Sequence, residues 1–223
     1  MKVLAVRLNT ETEDWQYEKL LARVSPERRS KAARFRFRKD AVRTAAGELL
    51  LQRLIRANDG SLVYRYSERG KPELISHPGF HHNISHAGCY VVCVCSDEPV
   101  GADVEELRPV DDGLAENCFT KVELAYLGEA TDPSDRLSRF YELWTGKESY
   151  IKLTGEGLSR PLHSFAVRVG DDQAWLESVD GIRLPAALML RKLDAEHALA
   201  ICAPRLPDKL PVSVMTLEQL LQD

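Results

Sequence analysis

Two short segments hold the residues best suited to chemistry, Gly101-Ala102-Asp103-Val104-Glu105 and Trp144-Thr145-Gly146-Lys147-Glu148-Ser149-Tyr150-Ile151-Lys152. Asp103 and Glu105 alternate in an apolar, strand-like run, and residues two apart on a strand share a face. Glu148 falls on a helix-like segment between Lys147 and Lys152. Three carboxylates from a strand and a helix, with ammonium groups beside them, suit a hard divalent cation holding a phosphate. Each element also has a plainer reading. The strand acids, with Glu106, could be the wet side of an edge strand. Glu148 and Lys152 could be a surface i, i+4 pair worth only about 0.3–0.5 kcal/mol. Against this, Trp144 stands four residues before Glu148 and draws it toward a buried stripe. The Gly101-Ala102 pair permits close approach of a backbone or ligand.

A second concentration of charge lies upstream. Eight basic residues (Arg28, Arg29, Lys31, Arg34, Arg36, Arg38, Lys39 and Arg43) accompany a single acid, Asp40, in a chain whose formal net charge is −4. A basic stretch in an acidic protein suits a discrete anion better than a coat of nucleic acid, although a solvated helix face would look the same. The histidine- and cysteine-rich run from His77 to Cys95 does not suit zinc. It has no Cys-x-x-Cys pair, and Cys89, Cys93 and Cys95 would line up on one strand face. A Ser85–His86–Asp103 triad fails because neighbours on a strand point to opposite sides and no nucleophile-elbow motif surrounds the serine. Glu123 reads first as the third residue of a capping box opened by Thr120.

The elements that must position these groups follow from local chemistry. The 223 residues, 44% hydrophobic and 29% charged, allow one large or two small soluble domains. No apolar run reaches the roughly 18 residues of a membrane span. Five cysteines without a regular framework point to a reducing cytoplasm. Strands are expected at Lys2–Leu8, Leu62–Ser67, His82–Ser85, Tyr90–Ser96, Val100–Leu107, Ser164–Val169, Ala174–Glu177, His197–Cys202 and Val212–Met215. Ser25-Pro26 opens one helix. A longer one spans Asp40 to Ala57 and ends at Asn58-Asp59-Gly60, and another runs from Asp132-Pro133 to Thr154, stopped by Gly155. The composition divides into residues 1–107 and 108–223, each an α+β unit, without an evident internal repeat.

Taken in order, these segments resemble the Sfp-type 4′-phosphopantetheinyl transferases, whose pattern is Gly-x-Asp-x-Glu followed by Trp-x-x-Lys-Glu-x-x-x-Lys. Gly70-Lys71-Pro72, Asn83-Ile84-Ser85-His86-Ala87-Gly88, Gly155-Glu156-Gly157-Leu158, Ser25-Pro26-Glu27-Arg28-Arg29 and Asp40-Ala41-Val42-Arg43-Thr44 also match, so the resemblance covers roughly residues 1–170. It implies two similar α+β halves packed as an intramolecular pseudo-dimer, monomeric, with coenzyme A bound between them. It also implies transfer of the coenzyme's 4′-phosphopantetheine arm to a serine of an apo peptidyl or acyl carrier protein, with Mg²⁺ and release of 3′,5′-ADP.

Carried over by residue, the resemblance assigns the metal to Asp103, Glu105 and Glu148. It assigns phosphate contacts to Lys147 and Lys152, pyrophosphate contact to His86 with Ser85 beside it, and the 3′-phosphate to Arg28, Lys31 and Arg43. Lys71 and Thr44 line the adenosine end. Arg28 stands where the family usually has lysine. The serine proton would go to Glu148 or Glu123, with Lys152 counted among the catalytic groups. Two other classes share parts of the pattern: a Mg²⁺-dependent phosphohydrolase or nuclease, and a non-catalytic nucleotide- or nucleic-acid-binding module. The resemblance itself implies neither nucleic acid nor membrane as a partner. The pathway of the carrier (nonribosomal peptide, polyketide or fatty acid) is left open.

Overall fold

Val, Ala and Leu at close intervals in Lys2–Arg7 form strand β1, which buries Val3, Ala5 and Val6. The computed structural model describes residues 1–9, 11–57, 61–171 and 173–222. β1 pairs in parallel with the late strand β11 (Val212–Thr216) and antiparallel with β5 (Tyr90–Ser96), on which β4 (His81–Ala87) folds back, giving the order β11-β1-β5-β4. Every residue of β5 is buried, as a near-continuous Val/Cys run requires when both faces are covered. Against this sheet pack α3 (Arg38–Ile55) and the terminal α7 (Leu217–Leu221), with α1 (Asp14–Arg23) laid on these two helices and Leu20, Leu50, Val91, Leu217 and Leu220 in one core. Helix α2 (Pro26–Ala32) starts where Ser25-Pro26 predicts, and the serine side chain accepts a hydrogen bond from Arg28 N. The small hairpin of β2 (Tyr64–Tyr66) and β3 (Pro72–Leu74) completes this unit.

The other unit is a five-stranded antiparallel sheet in the order β6-β10-β9-β8-β7: β6 (Gly101–Glu106), β10 (His197–Ala203), β9 (Arg183–Asp194), β8 (Ala174–Ser178) and β7 (Phe165–Val169). Three helices accompany it: α4 (Asp112–Cys118), α5 (Lys121–Gly128) and the long α6 (Pro133–Thr154). Helix α6 has the expected limits. Asp132 caps its start, and Gly155 ends it in the left-handed conformation at φ 72°. β6 lies directly on α6: a Cβ at Gly101 would stand 2.0 Å from Ser149 O and 2.4 Å from Leu153 N. Only glycine fits that contact, and it sets Asp103 and Glu105, on the same strand face, against the helix.

The expected division at residue 107 is corrected. The units are Met1–Glu98 together with the chain from Pro207 on, and Pro99–Leu206. β6 belongs to the second unit because its backbone partner is β10, and β11 returns to the first because its partner is β1. Periodicity within a segment cannot reveal which distant strand supplies its hydrogen bonds. Helix α1 and the twelve-residue β9 were not foreseen. In β9 the Pro-Ala-Ala-Leu-Met-Leu stretch has helix-forming residues and a proline. It is a strand because β10 and β8 pair on both sides, with a register irregularity on the β8 side. Helix α3 ends at Ile55, with Arg56 in the left-handed region at φ 56°. The Asn58-Asp59-Gly60 stop lies outside the described residues.

Candidate active site

Asp103 is 3% exposed, and its Oδ1 accepts from Lys152 Nζ at 2.6 Å, joining β6 to the last turn of α6. Glu105, next on that face, is half-buried and takes a hydrogen bond from Trp144. The indole itself is held by stacking on Phe140, 5.9 Å between centroids and 13° between planes. Burial first, then Asp103, pushes the Glu105 pKa from 4.5 to about 7, opposed by Lys152 and Trp144. Glu148 is raised in the same direction by burial and then Asp103, again opposed by Lys152. The three carboxylates foreseen from sequence are therefore brought into one electrostatically coupled group with Lys152. Neighbouring negative charges that raise one another's pKa are relieved by a cation.

That group is not a ready-made cage. Among the described residues no set of three or more His, Cys, Asp or Glu side chains is gathered as a metal centre would gather them. The ammonium of Lys152 stands on Asp103, so the carboxylates expected to hold a metal are here joined by a cation of the chain itself. The donor chemistry still fits magnesium. That ion takes hard oxygens, usually one or two carboxylates, and completes an octahedron with water and substrate phosphate.

Lys147 and Glu123 lie elsewhere than expected. Both side chains are fully buried and paired at 2.9 Å. Lys147 Nζ also donates to Leu162 O at 2.8 Å and Phe165 O at 2.5 Å. Glu123 Oε1 accepts from Val167 N at 2.7 Å, and Oε2 from Thr120 N and Oγ1, both at 2.8 Å. Burial lowers the Lys147 pKa and Glu123 opposes the fall. The phosphate role expected for Lys147 and the general-base role offered to Glu123 are corrected. These groups staple α5, α6 and β7, and neither reaches solvent.

The first unit gathers the cations. Arg28 projects from α2 onto Glu48 of α3, Nε to Oε2 3.0 Å, with its guanidinium 5.2 Å from the centre of the Tyr64 ring. Lys31, exposed one turn further along α2, has its pKa lowered by burial and then by Arg28. Lys71, before β3, is lowered chiefly by burial. His82 on β4 links Arg28 to Lys71: burial, then those two cations and His81, bring its pKa to about 4, so it is neutral. Arg43 Nη1 reaches Asp40 at 3.3 Å, while Nη2 donates to Gly88 O in the turn between β4 and β5. That contact sets α3 beside the Ser85-His86 segment. Ser85 and Thr44 are buried and His86 is exposed. Arg28, Lys31 and Lys71 thus surround one region, with Arg43, Ser85 and His86 tied to the β4–β5 turn.

Sequence reasoning overlooked Glu48, Tyr64 and His82. The available clue was a lone acid in the apolar run Ala45-Ala46-Gly47-Glu48-Leu49-Leu50-Leu51, since an unpaired carboxylate is not tolerated in a core. The cysteines hold nothing together covalently: all five are free, and Cys93, Cys95 and Cys202 are buried. Among the described residues no helix is long and apolar enough to cross a membrane.

Known proteins match along the whole chain. Residues 99–202 fit the family described as the 4′-phosphopantetheinyl transferase superfamily, and residues 10–98 fit "4′-phosphopantetheinyl transferase, N-terminal". The boundary between these matches falls where the two structural units divide. The 4′-phosphopantetheinyl transferase Sfp of Bacillus subtilis is 33% identical, covering 99% of this chain and 100% of that protein. The 4′-phosphopantetheinyl transferase psf-1 of Bacillus pumilus is 36% identical, covering 99% of this chain and 97% of that one. Among solved structures, a holo-(acyl-carrier-protein) synthase from Bacillus anthracis in complex with CoA (3′,5′-ADP) aligns with a TM-score of 0.39 and 21% identity, over 47% of this chain and 92% of that one. The near-complete coverage at a third identity, with both units matched in order, shows that this chain belongs to the Sfp-type 4′-phosphopantetheinyl transferases.

Proposed function

We propose that this chain transfers the 4′-phosphopantetheine arm of coenzyme A to a serine of an apo carrier protein, in a Mg²⁺-dependent reaction that releases 3′,5′-ADP. The observation that carries the reading is the coupled group of Asp103, Glu105, Glu148 and Lys152, built on the two motifs that identify the family. Asp103, Glu105 and Glu148 would hold the magnesium ion, which supplies charge neutralisation on the pyrophosphate and its leaving group. Lys152, 30% exposed, can turn from Asp103 to a phosphate oxygen when the carboxylate takes another cation.

The reaction needs a base near the pyrophosphate. Of the two carboxylates considered, Glu148 is half-buried, its pKa raised by burial and by Asp103, whereas Glu123 is locked in the core, so Glu148 takes that role. As the serine Oγ bonds to the phosphorus bearing pantetheine, its proton passes to Glu148. The bond from that phosphorus to the bridging oxygen breaks, and its electron pair leaves with 3′,5′-ADP. Arg28, Lys31 and Arg43 grip the 3′-phosphate, a dianion that favours clustered cations. Lys71 and Thr44 line the adenosine, while His86 contacts the pyrophosphate. We read the working form as a monomer, as the family resemblance implies. Free cysteines suit a reducing cytoplasm.

The test is incubation of the purified chain with coenzyme A, Mg²⁺ and a panel of apo carriers, read by intact-protein mass spectrometry. A carrier gaining one phosphopantetheine, and none when the divalent cation is chelated, is expected. No modified carrier across acyl, peptidyl and aryl types, with phosphodiester hydrolysis instead, would replace this reading with a phosphohydrolase.

A further inference from the structure

The carboxylate of Glu48 gathers four donors, three of them from the start of helix α2. It lies within α3 and has no exposed surface. Ser25 N donates to Oε1 at 2.5 Å. On Oε2 converge Ser25 Oγ at 3.1 Å, Arg28 Nε at 3.0 Å and Tyr64 OH at 3.2 Å. A buried carboxylate is costly unless paired and hydrogen-bonded, and here both conditions are met by two short segments. Ser25 is the N-cap of α2, and its Oγ also accepts from Arg28 N at 3.2 Å. One carboxylate therefore fixes where α2 begins and which way the Arg28 guanidinium faces, with the Tyr64 ring beneath it. The tyrosine remains a donor, since burial and then Glu48 push its pKa well up. His82, 4% exposed, closes the cluster with its ring 5.9 Å from that of Tyr64.

We propose that Glu48 is a positioning residue for the 3′-phosphate of coenzyme A, holding Arg28, and through α2 also Lys31, toward that group. The inference rests on assigning Arg28 and Lys31 to the 3′-phosphate. Its physical basis is preorganisation. A guanidinium already held through Nε and by an aromatic face loses less freedom when it meets a phosphate. The cost of setting two cations close together is visible in Lys31, whose pKa falls through burial and Arg28, and a dianion relieves it.

The experiment compares coenzyme A with 3′-dephospho-coenzyme A as substrates of the wild-type chain and of Glu48→Gln, Glu48→Asp and Tyr64→Phe. KM and kcat are measured for each, with thermal unfolding in parallel. Glu48→Gln keeps the shape and removes the charge. It should raise KM for coenzyme A about tenfold while kcat and the KM for 3′-dephospho-coenzyme A change by about twofold or less. Glu48→Asp should recover part of the lost affinity. Equal KM increases for the two substrates, or a loss confined to kcat and thermal stability, would overturn the positioning role and leave Glu48 a packing staple. If the wild type itself fails to distinguish the two coenzymes, the 3′-phosphate assignment falls first and this inference with it. Should Glu48→Gln not fold, Tyr64→Phe removes one donor of the four. A selective KM rise of about twofold to threefold then supports the role, and no selectivity change overturns it.

Discussion

Each unit buries a cation–carboxylate pair beneath its longest helix, and the two pairs are built with opposite polarity. In the first unit the acid, Glu48, is on the long helix α3, and the cation, Arg28, is on the short α2. In the second the cation, Lys147, is on the long helix α6, and the acid, Glu123, is on the short α5. A glycine precedes the charged residue of the long helix in both. A Cβ at Gly47 would stand 2.8 Å from Ile84 Cγ2, and one at Gly146 would stand 3.0 Å from Val167 Cγ2. Both glycines let the helix settle onto its sheet, which is what buries the next side chain. In both, the acid also serves a helix start, Ser25 for α2 and Thr120 for α5. The difference lies at the outer edge. Arg28 keeps 12% of its side chain exposed, and Lys147 keeps none. A pair with a wet edge can hold a cation ready for a ligand, while a sealed pair can only hold the fold.

Breaking the sealed pair should have the largest effect. Lys147→Ala leaves the Glu123 carboxylate buried without its cation, and denaturant unfolding should show a loss of about 3–5 kcal/mol, a large share of a small domain's stability. A loss below about 1 kcal/mol would mean that the pair is not what secures α6.

Lys152→Ala sharpens the contrast within the second unit, because its pair with Asp103 is partly exposed. Stability should fall by about 1–2 kcal/mol, because Asp103 is buried, while transfer to carrier falls by about a hundredfold or more. The reverse pattern would make Lys152 another staple.

Arg28→Ala stands between these cases. Glu48 retains its bonds from Ser25 and Tyr64, so a loss of about 1.5–3 kcal/mol in stability is expected, together with weaker coenzyme A binding by calorimetry. Unchanged affinity would place Arg28 with Lys147, as part of the packing alone.

The smallest effect is one of pH. Glu105 has a pKa of about 7 in the folded chain against an ordinary 4.5, so between those values the folded state holds a proton that the unfolded state has released. Without divalent cation, stability should fall as pH rises from 4.5 to 7 and level off above. Asp103→Asn, removing a neighbouring charge, should flatten that slope in thermal melts. A stability rising with pH across this window would contradict the coupling of the two acids.

How much of this was legible in the sequence depends on the range of the interaction involved. The starts of α2, α5 and α6, the end of α6, and the shared face of Asp103 and Glu105 follow from neighbours within a few residues, through caps, a left-handed glycine and the two-residue strand repeat. The two acidic motifs, in ordered company with the Lys71, His86 and Arg28–Arg43 segments, pointed to the family. The sequence could not tell which of two adjacent charged residues, Lys147 or Glu148, enters the core. Only contact with Glu123, Leu162 and Phe165 buries the lysine and leaves the glutamate beside Asp103. Nor could it assign β6 to β10, β11 to β1, or Arg28 to Glu48. Those are long-range choices, made where backbone hydrogen bonds and buried charges find partners far along the chain. Types and spacing set the kind of chemistry, and tertiary packing decided which charges remain available to perform it.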